Sequence, residues 1–413
     1  MSYKYSIILP SRNGGKYLEA CIDTIICQDS NDYELIISDD HSTDGTKEYL
    51  KRFASHPNVK LIEPKEELSM TEHWEWALSH ATGSWQMFVG QDDGLQPYFF
   101  RLADKLTKIA EEKKIRTIMS SRAYYFWQGC EPVYGDIAVG FSAMDKIKVH
   151  SSFYEATKAL LGMQTYFELP EMYTTSLFHK SILDEAKEKQ NGKVLTCHPQ
   201  DANLGVIACS LEKNYLKSYI PLGWVGSSPK SAGMALGSQN KGFRNEDAEI
   251  LKKLEQEYIE KIKKSKLKYN KLAGDFSFGD LSLYFWQAFL ETPLLRAKKI
   301  NKFLVSRPFK YIFFSTLLTR LWIGKDHLSK KEQFNEIVKI NECSLLLIQF
   351  ITILFIFLVL IYKSINLAFR VVRKLYRTFS SSTIHVYFNR SDNQNLTIQE
   401  ASEMVFKKIN IND

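Results

Sequence analysis

Two pairs of adjacent aspartates end short apolar runs in the first hundred residues. Asp39 and Asp40 follow ELIIS, and Asp92 and Asp93 follow the run WQMFV and the residues Gly90 and Gln91. Neighbouring carboxylates raise one another's pKa unless a cation sits between them. Such a pair is also ordinary turn chemistry, free to face water. Brought to one place, the two pairs suit a phosphate-bearing ligand held through a hard divalent cation. Mg²⁺ or Mn²⁺ prefers oxygen ligands and takes one or two protein carboxylates, with phosphate oxygens and water completing the shell. Glycine-rich phosphate loops are missing: there is no GxxxxGK[ST] and no GxGxxG after a strand, and NGGK at 13–16 fits neither pattern.

The elements around these residues alternate. The pattern predicts strands at 5–9, 34–38, 59–62 and 85–89, with helices at 16–27, from about 46, at 71–81 and from Pro97 to about 113. Strands alternating with helices imply an α/β fold with a parallel sheet and right-handed crossovers. Ligands of such sheets bind beyond the carboxyl ends of the strands. Pro10–Asn13, Asp39–Asp40 and Asp92–Asp93 each follow a strand, so the fold should gather them at one edge.

SIILPSRNGGKYLEACIDTIICQDSNDYELIISDDHSTDGT resembles the opening of the family 2 glycosyltransferases, which have the GT-A fold. Pro10, Asn13, Gln28, Asp39, Asp40, Ser42, Asp44 and Thr46 carry the likeness, and LSMTEHWEWALSHATGSWQMFVGQDDGLQP resembles that family's run into its DxD metal motif. The likeness is close over about the first hundred residues and weaker to about 240. It implies a Rossmann-like, mostly parallel sheet and a donor site for a nucleotide-diphosphate sugar formed by Pro10, Arg12, Asn13, Asp39, Asp40 and Asp92. It further implies Mn²⁺ or Mg²⁺ on Asp93 and Asp92. The family often has an aspartate where this chain has Gly90, so its DxD motif is shortened to QDD. The resemblance also implies a general base about a hundred residues on, and Asp201 in CHPQDANLGVIACSL stands there, before an apolar helical run. A helix-capping role is open to the same residue. His198 could neighbour the donor phosphate or face solvent, and Trp224 could stack on a sugar or fill the core.

The remainder bears on location. Net charge is +7, with five cations and no acid between Lys363 and Arg377. Basic runs interleaved with aromatic and aliphatic residues suit an anionic membrane surface, and no nucleic-acid recognition motif occurs. Leu345–Tyr362 is an uncharged apolar run that reads as a membrane helix. The positive charges that follow conflict with a single span, leaving a crossing, a re-entrant segment or an interfacial helix open. The N-terminal apolar run is too short for a signal-peptide core, which predicts a catalytic part on the cytoplasmic face of an inner membrane. Six scattered cysteines without a CxxC pair argue against a disulfide framework or structural zinc.

The expected layout is a catalytic domain at 1–240, a helical aromatic and basic region at 241–340, a membrane helix with its basic flank at 341–377, and a loosely ordered polar tail at 378–413. The expected activity is transfer of one sugar, with inversion, to a membrane-bound, polyprenyl-diphosphate-linked glycan of a surface polysaccharide such as O-antigen or capsule. Membrane lipids would be partners. A catalytically inactive membrane-anchored scaffold and a sugar-nucleotidyltransferase are the alternatives.

Overall fold

The computed structural model describes residues 3–197, 199–229, 231, 280–292, 299–304, 306–323, 331–357, 383–392 and 396–409. Two fully buried strands, β1 (Tyr5–Ser11) and β2 (Tyr33–Asp39), lie side by side in the main sheet. Their continuous apolar character is that of strands covered on both faces. They pair in parallel with Ser11 opposite Asp39, so both chains leave the sheet at the same level. Parallel neighbours flank them: β3 (Val59–Ile62) on β2, and β4 (Trp85–Phe88) on β1.

Crossovers supply the helices α1 (Gly15–Ile26), α2 (Thr46–Leu50) and α3 (Met70–Leu78). Helix α1 buries Leu18, Cys21, Ile22 and Ile25 at helical spacing against the sheet. Helix α3 starts at Ser69, whose hydroxyl accepts from the Glu72 N–H.

Beyond β4 the chain departs from the expected, mostly parallel arrangement. It continues through β5 (Gly94–Leu95), α4 (Phe99–Glu112), β6 (Thr117–Ser120), β7 (Ala123–Phe126), α5 (Glu131–Tyr134), β8 (Ile137–Ala143), β9 (Ile147–Ser151) and α6 (Ser152–Leu160). Next come β10 (Ser176–His179), α7 (Lys180–Lys189), α8 (Gln200–Leu211), β11 (Asn214–Ser218) and β12 (Gly223–Ser227). The main sheet has the order β3-β2-β1-β4-β10-β6-β11-β9, with β10 antiparallel to both its neighbours and β9 antiparallel to β11. Short apolar runs carry no strand direction, so the sequence could not foresee this.

A second sheet, β13-β8-β7-β12-β5, stands on the other side of the aspartate loop. Its edge strand β13 (Ile384–Asn389) and the helix of residues Ile398–Lys408 come from the stretch expected to be a loose tail. That expectation is corrected. Val386, Ile398, Ala401 and Val405 are fully buried in the main core, because these few apolar positions face the catalytic part. Ile398→Ala should therefore cost about 2–5 kcal/mol, read as a lowered urea midpoint. Trp224 is likewise a core residue and not a sugar platform: it is fully buried, and its indole N–H donates to the Ser402 hydroxyl (2.8 Å).

The described helices between residues 280 and 357 are α9 (Leu281–Glu291), α10 (Lys299–Leu304), α11 (Arg307–Ile323), α12 (Lys331–Ile340) and α13 (345–357). Helix α14 is Ile398–Lys408. Phe285, Trp286, Phe313 and Phe314 share one core with Tyr166, Ala202 and Val206 of the catalytic part. Among the described residues no helix is long and apolar enough to cross a membrane. Residues 358–362 of the expected span, the basic run 363–377 and residues 241–279 of the expected helical region lie outside the described residues. All six cysteines are free thiols.

Candidate active site

The level ends of β1, β2 and β4 bring the three expected loops to one edge, as the parallel register requires. Gln91 ties the first loop to the aspartate turn, since its Oε1 accepts from the Ser11 hydroxyl (2.9 Å) and the Arg12 N–H (3.2 Å). The first and second loops are joined by the Asp40 N–H donating to the Ser11 carbonyl (2.9 Å) and the Asn13 N–H donating to the Ser42 hydroxyl (2.7 Å). Asn13 itself has φ 53°, a left-handed conformation that its short polar side chain tolerates. Pro10 is buried in β1, opposite Ser38.

Asp39 is almost fully buried and accepts from the Ser42 N–H (3.1 Å) and hydroxyl (2.5 Å), which fixes its carboxylate in a turn of its own making. Asp40 accepts from the Leu68 N–H (3.1 Å) and lies 3.9 Å from the Arg12 guanidinium, which also pairs with Glu67. Buried His73 bonds the Ser38 hydroxyl (2.6 Å); burial lowers its pKa, opposed by the charges of Asp40 and Asp39.

Asp92 and Asp93 differ in their surroundings. Asp93, 1% exposed, accepts from the Gly90 N–H (2.9 Å), the Gly226 N–H (2.7 Å), the Thr174 hydroxyl (2.5 Å) and the Tyr173 phenol. Asp92 accepts from the Ser228 N–H (3.1 Å) and hydroxyl, while its carbonyl takes the Trp127 indole N–H (2.8 Å). Burial first, and the Asp93 charge second, push Asp92 up to about 7. Burial also raises Asp93, against the pull of its donors.

Asp201 lies in the first turn of α8, where Pro199 is the capping residue, so it is not the N-cap. Its carboxylate accepts from the Ala202 N–H (2.7 Å) and the Tyr166 hydroxyl (3.1 Å). Enclosure raises its pKa, opposed by that N–H, by Arg122 and by Tyr166. Residues 166–174 form a strap between the two acidic centres. At one end Tyr166 holds Asp201; Phe167 stacks under the Arg122 guanidinium (4.2 Å to the ring centroid); at the other end Tyr173 and Thr174 hold Asp93. Between them Glu171 is fully buried and paired with Arg122, and its second carboxylate oxygen has no hydrogen-bond partner among the described residues. Burial pushes Glu171 up to about 8, with Arg122 opposing and the charges of Asp201 and Asp93 adding. The Tyr173 phenol feels Asp93, Asp92 and Asp201 together.

Residues 6–127, which hold both pairs of strand-edge aspartates, match the family model "Glycosyl transferase family 2". Residues 6–127 are a family 2 glycosyltransferase domain. A "PGL/p-HBAD biosynthesis glycosyltransferase" of Mycobacterium bovis (strain BCG / Pasteur 1173P2) is 34% identical over 107 residues, which are 26% of this chain and 40% of that protein. A "Putative glycosyltransferase EpsE" of Bacillus subtilis (strain 168) is 33% identical over 113 residues, 27% and 40% of the two chains. The chain thus spans about two fifths of the length of these curated relatives. Among solved structures, S. aureus TarS 1-349 in complex with UDP-GlcNAc aligns with TM-score 0.45 and 13% identity, covering 82% of this chain and 90% of that one.

Against the family pattern, Gly90 has a steric cause. A Cβ there would collide with the Tyr173 hydroxyl and come within 2.8 Å of Asp93 Oδ2. The phenol occupies the space an aspartate side chain would need. Gly90→Ala should cost about 1–3 kcal/mol and shift Tyr173 off Asp93, read by urea unfolding and by donor binding.

Several site residues escaped the sequence reading: Gln91, Arg122, Tyr166, Glu171, Tyr173 and Thr174. Thr174 meets Asp93 across 81 positions of sequence, so no local spacing could signal it. Glu171 had a signal, a lone carboxylate inside the apolar run LPEMY. His198 lies outside the described residues.

A divalent cation fits Asp92, a hard oxygen donor that burial beside Asp93 leaves short of compensating charge. Among the described residues no group of three or more His, Cys, Asp or Glu could hold an ion unaided, so ligand and water oxygens would have to complete its shell.

Proposed function

We propose that this chain transfers a single sugar from a nucleotide-diphosphate sugar, with inversion, to a membrane-bound acceptor. The strap 166–174 carries this reading: it joins the donor-end carboxylate Asp93 to the buried carboxylate Asp201. A donor site and a proton acceptor at the two ends of one short segment are what a direct displacement needs.

In this reading Asp39, oriented by Ser42, accepts from the nucleotide base, and Asp40 with Arg12 braces the loop. Pro10 and Asn13 shape the wall beside the nucleotide. Asp92 is the protein ligand of Mn²⁺ or Mg²⁺, and Asp93 holds the turn through its four donors. The bound cation supplies charge neutralisation for the diphosphate. Asp201 takes the proton of the acceptor hydroxyl as its oxygen bonds the anomeric carbon and the bond to the leaving diphosphate oxygen breaks. A carboxylate with a raised pKa is the stronger base for that step.

The acceptor we infer is a polyprenyl-diphosphate-linked glycan of a bacterial surface polysaccharide, met at the cytoplasmic face of the inner membrane. The name of one relative, "PGL/p-HBAD biosynthesis glycosyltransferase", supports a biosynthetic role. The saturated hydrogen bonding of Asp93 favours one rival, a scaffold that keeps the fold without turnover.

The test incubates purified protein with UDP-, GDP- and TDP-sugars, Mn²⁺ and lipid-linked acceptors. Transfer that disappears in Asp92→Asn and Asp201→Asn supports the reading. Donor binding without transfer on any acceptor, unchanged by either substitution, favours the scaffold.

A further inference from the structure

Among the described residues, helix α13 (345–357) is packed on one side only. Ile348 and Thr352 are buried against α11: the Thr352 hydroxyl donates to the Ser315 carbonyl (3.3 Å), and the Ser315 hydroxyl donates to the Ile348 carbonyl (3.3 Å). The other side is apolar and open. Leu346 (79%), Phe350 (61%), Ile353 (58%) and Phe357 (64%) are more than half exposed, and Leu347 and Leu354 complete the stripe. Their positions recur at the spacing of one helix face. A contiguous exposed apolar stripe of this size marks a docking surface.

Two observations identify what covers it. The first is charge. The Ser344 N–H donates to the Tyr311 hydroxyl (3.1 Å), which sets the turn carrying Arg307 and Lys310 beside the start of α13. Both cations reach the Cys343 thiol electrostatically. An apolar stripe with two cations near one end complements acyl chains beneath phosphate headgroups, although exposed Glu342 stands at the same end.

The second is connectivity. The chain before α13 belongs to the catalytic core, and the chain after residue 382 returns to that core as β13 and α14. Both ends of the intervening stretch are therefore anchored in one folded body on one side of any bilayer. A crossing takes about 20 apolar residues each way. Only the 25 residues 358–382 separate Phe357 from Thr383, and they include Lys363, Arg370, Arg373, Lys374 and Arg377. A return crossing would have to bury these charges in hydrocarbon.

We propose that the exposed face of α13 lies in the plane of an anionic lipid surface, holding the protein on one leaflet without a span. Of the three membrane arrangements open to the sequence, this selects the interfacial one. The inference uses neither Asp92 nor Asp201, so it stands or falls separately from the proposed transfer.

The test floats the full chain with vesicles of phosphatidylcholine, alone or mixed with phosphatidylglycerol. Binding is expected to be stronger to the anionic vesicles and to weaken with salt. Phe350→Glu/Ile353→Glu/Phe357→Glu should lower it more than about tenfold, and Arg307→Glu/Lys310→Glu should remove the preference for phosphatidylglycerol. Unchanged thermal melting and donor-nucleotide binding would show that the variants fold. In sealed inverted membrane vesicles, a membrane-impermeant maleimide should label native, exposed Cys27 and an Asp392→Cys variant from the same side. Equal flotation of the triple variant, or labelling of the two positions from opposite sides, would overturn the proposal. So would a wild-type chain that ignores vesicles and forms a dimer dissolved by the triple variant.

Discussion

Asp201→Asn is expected to lower kcat by about 10²–10⁴-fold while leaving donor affinity unchanged. The amide keeps the acceptor oxygen for the Tyr166 hydroxyl or the Ala202 N–H, so the first turn of α8 should stay in place. It cannot take a proton. The expected signature is therefore a loss in kcat with little change in KM for the donor, together with loss of the acidic limb of the pH–rate profile. That limb should sit above the ordinary carboxylate range, because enclosure raises the Asp201 pKa. Stopped-flow single-turnover assays check the first point and a pH series the second. A purely structural role would instead lower the melting temperature and alter both constants.

Asp92→Asn should weaken metal-dependent donor binding and lower kcat/KM by about 10²–10³-fold. The pH dependence has a definite sign. The folded pKa of Asp92, about 7, lies above the ordinary carboxylate value. The contribution of this group to stability is thus full below about pH 4 and is lost as pH rises through about 7, where the buried charge forms. A cation that binds the charged form reverses the loss and competes with the proton. Mn²⁺ with a nucleoside diphosphate should therefore raise the melting temperature more at pH 8 than at pH 6, and proton release on binding should be largest near pH 6. In Asp92→Asn the stabilisation by Mn²⁺ should be small and independent of pH. Equal stabilisation of wild type and variant would remove Asp92 from the metal site.

How far these residues could be found without coordinates depended on where each signal resides. Asp39, Asp40, Asp92 and Asp93 were legible because each pair directly follows a strand, and the parallel alternation requires those strand ends to share an edge. The strands at 59–62 and 85–88 were legible for the same reason, as short apolar runs bounded by turn residues. The direction of β10 was not, since pairing direction is a property of two segments and neither one states it. Glu171 and Arg122 form one buried pair from positions 49 apart, and nothing local in either segment announces the other.

The sequence by itself determined that an α/β sheet would present two pairs of carboxylates at one edge, because period and turn chemistry are local and strand–helix alternation implies parallel strands. Tertiary structure decided the rest. It settled that Tyr173 takes the space beside Gly90, that Trp224 is core, and that β13 and α14 pack into the catalytic core. Each of these depends on contacts across long sequence separations, where close packing and the satisfaction of buried polar groups, not local propensity, select the arrangement.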